Sequence, residues 1–178
     1  IVVSEMCIRD SNKVVRRVDT GRLRMSLSVC IFKNDKLYIS AAAMPPAYLY
    51  SAETQSVDEI EIRNLPLGGL DNEQFELVEK SFNKGDILVL LSDGLPEAPD
   101  LEGNLLDYQP VMDCIEKVAH LGAAQVKQSL IDLADDWLDG TQNPDDITFV
   151  VFEKQPNKNP KAQKELEEEK NIKKVALA

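Results

Sequence analysis

The chain is expected to fold as an α+β domain, with a mostly antiparallel sheet or two stacked sheets. Three observations point there. Short strand-like segments crowd residues 24–91, two helical patterns follow each other over 110–138, and one apolar strand comes after them at 147–152. Strands and helices are therefore segregated, whereas a parallel fold alternates them. At 178 residues the chain matches the usual length of one domain and is long enough to bury a real core.

Composition narrows the function. Hydrophobic residues make up 43% and charged residues 29%, ordinary for a soluble globular protein. The formal net charge of −11 repels phosphate backbones and anionic lipid, so nucleic acid is not an expected partner. A phosphorylated ligand held through a cation stays open, because a bound cation reverses the local field. No run reaches the 18 or so apolar residues of a membrane span, and the N-terminus lacks the pattern of a secretory signal. Three cysteines, Cys7, Cys30 and Cys114, form no Cys-x-x-Cys pair. They are read as reduced core thiols in the cytoplasm.

Residues 1–11 fit poorly with the remainder of the chain and resemble translated adapter sequence from assembled environmental DNA. They are expected to be a leader foreign to the domain. Residues 12–19 read as the last turns of a helix, with Val14, Val15 and Val18 on one side and Thr20-Gly21 as its stop. Residues 24–32 form a strand, 33–36 a polar hairpin turn, and 37–42 the returning strand. Met44-Pro45-Pro46 breaks it, and 47–50 resumes as a short strand. Residues 51–58 read as a polar loop and 59–62 as a half-exposed edge strand. A glycine-proline turn spans 65–70. Residues 74–81 alternate, with Phe75, Leu77 and Val78 inward.

The two helices are expected over 110–120 and 124–138. Pro110 suits a first helical position and Gly122 closes the helix. In the second, Val126, Leu130, Leu133, Ala134, Trp137 and Leu138 form an apolar stripe, and Gly140 is its stop. Asn143-Pro144-Asp145-Asp146 is a turn before the last strand. From Gln155 onward the composition turns polar and charged, giving a solvated tail over 155–178.

Residues 87–91, Ile-Leu-Val-Leu-Leu, organise this order. Five apolar residues without alternation mean a strand buried on both faces. Asp93 sits where that strand leaves the core. Asp145-Asp146 precedes the final strand. If the two strands lie side by side and antiparallel, these carboxylates meet on one rim. Hard oxygen donors without His or Cys select Mg²⁺ or Mn²⁺ over zinc. Ser-Asp-Gly and Asp-Asp are each common turns; only their joint placement beside apolar strands favours a site.

The string 85–98 (Gly-Asp-Ile-Leu-Val-Leu-Leu-Ser-Asp-Gly-Leu-Pro-Glu-Ala) resembles the metal-ligand block of PPM-type metal-dependent serine/threonine protein phosphatases, in their SpoIIE-like bacterial branch. Residues 145–151 resemble that branch's closing Asp-Asp-x-Thr strand, 41–50 its middle hairpin and 65–68 the turn after it. The likeness runs over 12–154. It implies two stacked antiparallel sheets flanked by helices, an αββα sandwich, here N-terminally truncated. It implies two Mn²⁺ or Mg²⁺ ions in the complete domain. These ions activate water for hydrolysis of phosphoserine or phosphothreonine on a regulatory protein, in partner-switching signalling. Carried over by motif, Asp93 and Asp145 are metal ligands, Asp146 a weaker one, and Gly94 allows close backbone approach. The implied partner is a phosphorylated regulator such as an anti-sigma-factor antagonist. An upstream sensor domain, homodimer formation and membrane tethering through upstream segments belong to the same expectation.

One departure matters. The family's early aspartate and its Asp-x-Ser-Gly-His-Gly motif are not in this sequence, and Asp10 and Asp19 lie in other contexts. About half of the metal shell is therefore expected, with weak metal binding by the chain as it stands. The alternative is a non-catalytic fragment of the same fold that binds a partner. Trp137 is read as core, Arg22 and Arg24 as solvated or ion-paired, Glu97 as a solvated loop carboxylate, and His120 as a helix-end residue.

Overall fold

The computed structural model describes residues 2–18, 24–71 and 73–156. The order is α1 (Val2–Arg17), β1 (Leu27–Lys33), β2 (Lys36–Ala42), β3 (Ala47–Ser51), β4 (Ser56–Ile60), β5 (Val78–Ser81), β6 (Ile87–Leu91), α2 (Tyr108–Val118), α3 (Ala123–Leu138) and β7 (Phe149–Glu153). A 3₁₀ turn over Ala119–Leu121 links the last two helices. One sheet has the order β1-β2-β5 and the other β4-β3-β6-β7, and every pairing is antiparallel.

The side-chain alternation of β6 explains the layering. Ile87, Val89 and Leu91 pack with Val111, Ile115, Val126, Leu130 and Ala134 of α2 and α3. Leu88 points the other way, into a cluster with Leu37, Ile39 and Ala41 of the three-stranded sheet. The expected doubly buried strand is thus the interior of a sandwich, with helices on one side and a second sheet on the other. β3 divides in the same manner: Tyr48 and Tyr50 join the helix side, Ala47 and Leu49 the sheet side. On the outer face of the three-stranded sheet, Ile8 of α1 is fully buried with Ala42, Leu67 and Phe75. The layers therefore run helix, sheet, sheet, helices.

Polar side chains secure the corners. Asn12, buried in α1, donates to the Leu70 carbonyl at 3.0 Å and accepts from the Gly68 N–H at 2.7 Å. This ties α1 to the glycine-proline turn. Asp86 is a buried carboxylate at the entry to β6, and accepts from the N–H groups of Asn83 at 2.6 Å and Ala52 at 2.9 Å. The β1–β2 hairpin turns through Asn34 and Asp35, both left-handed (φ 50° and 58°), as a two-residue turn matched to strand twist requires.

Several boundaries differ from expectation. α1 begins at Val2, so the helix read at 12–19 is the end of a longer one that runs through the presumed leader. The loop read at 51–58 is a tight turn over residues 52–55, with Gln55 at φ 53°, and β4 starts at Ser56. That strand lies at a sheet edge, as read. α2 starts at Tyr108, not at Pro110, because Asp107 caps it by accepting from the Tyr108 N–H at 2.6 Å. α3 stops on Asp139, already left-handed at φ 42°, one residue before Gly140. Among the cysteines, Cys30 and Cys114 are half-buried but Cys7 is exposed, so it is not a core thiol. Burial pushes the Cys30 thiol up to about 11. The helix stop expected at Thr20-Gly21, Arg22 and the tail from 157 lie outside the described residues. Among the described residues no helix is long and apolar enough to cross a membrane.

The two-sided burial of β6 makes a quantitative expectation. Leu88 is fully buried, whereas Val150 on the neighbouring strand is 46% exposed. Leu88→Ala should lower unfolding free energy by about 2–5 kcal/mol, and Val150→Ala by about 0.5 kcal/mol or less. Urea unfolding midpoints of the two variants check this; equal shifts would contradict the layering.

Candidate functional site

β6 and β7 are in register from Ile87↔Glu153 to Leu91↔Phe149. Pairing then continues one step past the strands. The Ser92 N–H donates to the Thr148 carbonyl at 2.8 Å, and the Thr148 N–H donates to Ser92 Oγ at 3.1 Å. Ser92 Oγ in turn donates to the Asp146 carbonyl at 3.2 Å. The end of one strand and the approach to the next are therefore fastened together where the acidic residues emerge.

Asp93, Asp145 and Asp146 are all exposed, on adjoining ends of two neighbouring strands. Gly94 is buried beside them. A Cβ there would stand 2.3 Å from the Asp146 carbonyl oxygen, a distance real Cβ atoms do not show. The missing side chain thus lets one backbone approach another. The Asp145 carboxylate accepts from the Asp146 N–H at 2.8 Å, which occupies one of its oxygens. From the other side, Asn143 Nδ2 donates to the Gly94 carbonyl at 2.9 Å. The turn after Asp93 closes by the Glu97 N–H donating to the Asp93 carbonyl at 2.9 Å. Its far end is held by Trp137, whose indole N–H donates to the Ala98 carbonyl at 2.9 Å.

A cleft of about 470 Å³ opens beside Asp93. Asp93, Glu97 and Tyr108 line it together with Met44, Pro45 and Arg63. Burial pushes the Tyr108 phenol up, with the charges of Glu97, Asp93 and Asp107 adding to the effect, so this hydroxyl keeps its proton. The Arg63 guanidinium is committed to Glu61 through two hydrogen bonds, at 2.7 and 2.9 Å. A larger apolar hollow of about 650 Å³ lies between α3 and β7, among Ala123, Lys127, Ile131, Ile147 and Phe149.

Two carboxylates on one rim offer the hard oxygen donors that Mg²⁺ and Mn²⁺ take. Among the described residues, however, no three His, Cys, Asp or Glu side chains gather to hold a metal. Asp93 and Asp145 therefore suit such ions in kind and not in number. Of the other singled-out residues, Arg24 and His120 are exposed, and His120 sits in the 3₁₀ turn after α2. Trp137 packs against the helix-side core as read, and also anchors the Asp93 turn. Sequence reasoning missed Ser92, Asn143 and Tyr108. Ser92 and Asn143 stood in strings already read as turns, and their partners lie 54 and 49 residues away.

With this geometry in hand, comparison with solved structures gives a class. The SiaA-PP2C domain of Pseudomonas aeruginosa superposes with a TM-score of 0.72 at 16% identity, covering 84% of this chain and 60% of that one. The manganese-presoaked phosphatase domain of SpoIIE from Bacillus subtilis gives 0.64 at 17% identity, covering 86% and 68%. The fold is thus that of PP2C-type phosphatase domains. The model of the Stage II sporulation protein E (SpoIIE) family matches residues 5–155, and the chain belongs to that family. Among curated proteins it is similar to the phosphoserine phosphatase RsbU of Bacillus subtilis (strain 168), 23% identical over 147 residues. That alignment spans 82% of this chain and 43% of RsbU, so the chain spans less than half the length of that relative.

The Gly94 contact yields a direct test. Gly94→Ala forces the Asp146 backbone away, and should cost about 1–3 kcal/mol of stability, as overpacking does. Chemical denaturation measures it; a variant as stable as the parent would mean that the two turns are not in contact.

Proposed function

We propose that this chain is the C-terminal part of a metal-dependent serine/threonine protein phosphatase domain, acting on phosphoserine or phosphothreonine of a regulatory protein in partner-switching signalling. The observation that carries the reading is the placement of Asp93 and Asp145 on adjoining ends of β6 and β7 in a chain of the SpoIIE family. In this reading residues 12–154 are the phosphatase part and 155–178 a solvated tail, with the helix ahead of residue 12 held to the same domain through Ile8. Asp93 and Asp145 bind Mn²⁺ or Mg²⁺. Asp146 is the weaker ligand of the three; its backbone N–H serves to orient Asp145. The remaining donors come from the protein upstream of this chain, in keeping with the partial coverage of the relatives. A bound pair of such ions supplies Lewis-acid chemistry, making water nucleophilic near neutral pH and offsetting phosphoryl charge.

The chain's own residues do the rest. Ser92 and Gly94 keep the two carboxylate-bearing turns close, and Trp137 steadies the turn after Asp93. Tyr108 offers a protonated hydroxyl on the wall of the cleft beside Asp93. The partner in this reading is a small phosphorylated regulator of the anti-sigma-factor antagonist kind, met in the cytoplasm. An upstream sensor domain and a homodimer belong to the same proposal. A second reading, a non-catalytic partner-binding fragment of this fold, is favoured by one observation: no third metal-binding side chain joins the pair among the described residues.

Phosphate release from a phosphoserine protein decides between them, measured on the protein extended by its upstream coding segment. Release should require Mn²⁺ or Mg²⁺ and disappear in Asp93→Asn. Activity that survives Asp93→Asn removes that residue from the metal shell. A folded, extended protein that binds the phosphoprotein without releasing phosphate establishes the second reading.

A further inference from the structure

We propose that the loop over 98–107 is a docking knob for the phosphorylated regulator, with Leu101 and Leu105 as the side chains that enter the regulator's surface. The proposal rests on the phosphoprotein-substrate reading above, and adds the feature by which one phosphoprotein is told from another.

The loop lies between the turn after Asp93 and the start of α2, and it leaves and re-enters the domain at one place. The Leu106 N–H donates to the Ala98 carbonyl at 3.1 Å, and the Asp107 N–H to the Pro96 carbonyl at 2.7 Å. Pro99 and Leu105 face each other across an antiparallel bridge. The Ala98 carbonyl also takes the Trp137 indole N–H, so the base is anchored to α3. The tip is braced from within. The Asp100 carboxylate accepts from the backbone N–H groups of Glu102 at 2.9 Å and Asn104 at 2.8 Å, and from Asn104 Nδ2 at 2.9 Å. The Asp100 N–H donates to the Asn104 carbonyl at 2.9 Å, and the Gly103 N–H to the Asp100 carbonyl at 3.1 Å. Leu106 supplies the apolar anchor, being 3% exposed.

None of this bracing uses Leu101 or Leu105. Leu101 is 71% exposed, the most of any large apolar side chain among the described residues, and Leu105 is 56% exposed. Turn tips ordinarily carry Gly, Asn, Asp or Ser, and two leucines held in water on a stiff tip add nothing to the fold. An apolar surface ordered in advance loses little entropy when it is covered. The position of the loop indicates what covers it. Glu97 at one foot and Tyr108 just past the other both line the cleft beside Asp93. A protein with its phosphoserine in that cleft therefore meets the loop. Charge defines the complementary surface. From Gly85 to Glu116 the chain has no Lys, Arg or His, and Glu97, Glu102 and Asp107 are exposed. The fitting partner surface is an apolar pocket rimmed by Lys or Arg, beside the phosphoserine. A second copy of this chain, equally acidic, is repelled.

The test uses the protein with its upstream segment and a serine-phosphorylated anti-sigma-factor antagonist as the probe. Binding is read by titration calorimetry in EDTA, and phosphate release with Mn²⁺. Leu101→Ser with Leu105→Ser should raise Kd at least about tenfold, with the urea midpoint of the parent. Its kcat/KM for the phosphorylated antagonist should fall at least about tenfold further than its kcat/KM for p-nitrophenyl phosphate. Leu101→Met with Leu105→Met should restore binding. Parent affinity in the serine variant overturns the proposal, as does an equal loss on both substrates. A lowered urea midpoint also overturns it, because the leucines are then covered by the protein's own upstream part. A parent that binds the antagonist but releases no phosphate overturns the catalytic reading and leaves the docking loop standing. A parent that does not bind the antagonist overturns the choice of partner and this inference with it.

Discussion

Everything in this fold leans on the requirement that β6 be dry on both faces. It is an interior strand of its sheet, with β3 on one side and β7 on the other. Its side chains feed two separate cores, and only Leu90 among them is less than fully buried. A strand so enclosed cannot shift register without pushing its whole apolar set against the wrong neighbours. Polar residues are confined to its ends, and there they pin it. Asp86 fixes the entry by accepting two backbone N–H groups, and Ser92 fixes the exit by bonding to Thr148 and Asp146. The rigidity of the interior is handed to the rim at the exit through Ser92.

At the rim the physical problem reverses. The chain carries a net charge of −11, and its candidate site gathers some of those carboxylates on adjoining turns. Asp93, Asp145 and Asp146 tolerate this because they are exposed, where water screens like charges. Glu97 and Asp107 add to the negative field around Tyr108. Neutralisation by a cation would relieve that field, which is why an acidic protein can still serve a phosphorylated ligand.

The parts of this arrangement visible in the sequence are those set by local pattern. The unbroken run 87–91 announced a doubly buried strand, and the two-residue turn at Asn34-Asp35 lay inside a recognisable hairpin. The stripe of α3 was plain from its spacing. What escaped is what depends on distant partners. Ile8 looked foreign in its string, yet it fills a pocket made by Ala42, Leu67 and Phe75. Pro110 looked like a helix start until Asp107 proved to be the cap. Gly94 was legible as a special position, but the carbonyl it makes room for belongs to a residue 52 positions later (146 − 94 = 52). Asn143 read as an ordinary turn residue because nothing nearby in the chain discloses the Gly94 carbonyl.

Trp137 is the only tryptophan in the chain. Its indole N–H is bonded to Ala98 while its ring lies against the helix-side core. Indole emission is sensitive to loss of that hydrogen bond and to entry of water. The protein therefore contains its own optical reporter, addressed to the segment that begins at Asp93. Excited selectively, that single fluorophore would register any break of the Trp137–Ala98 bond, with no label attached and no background from a second tryptophan within the chain.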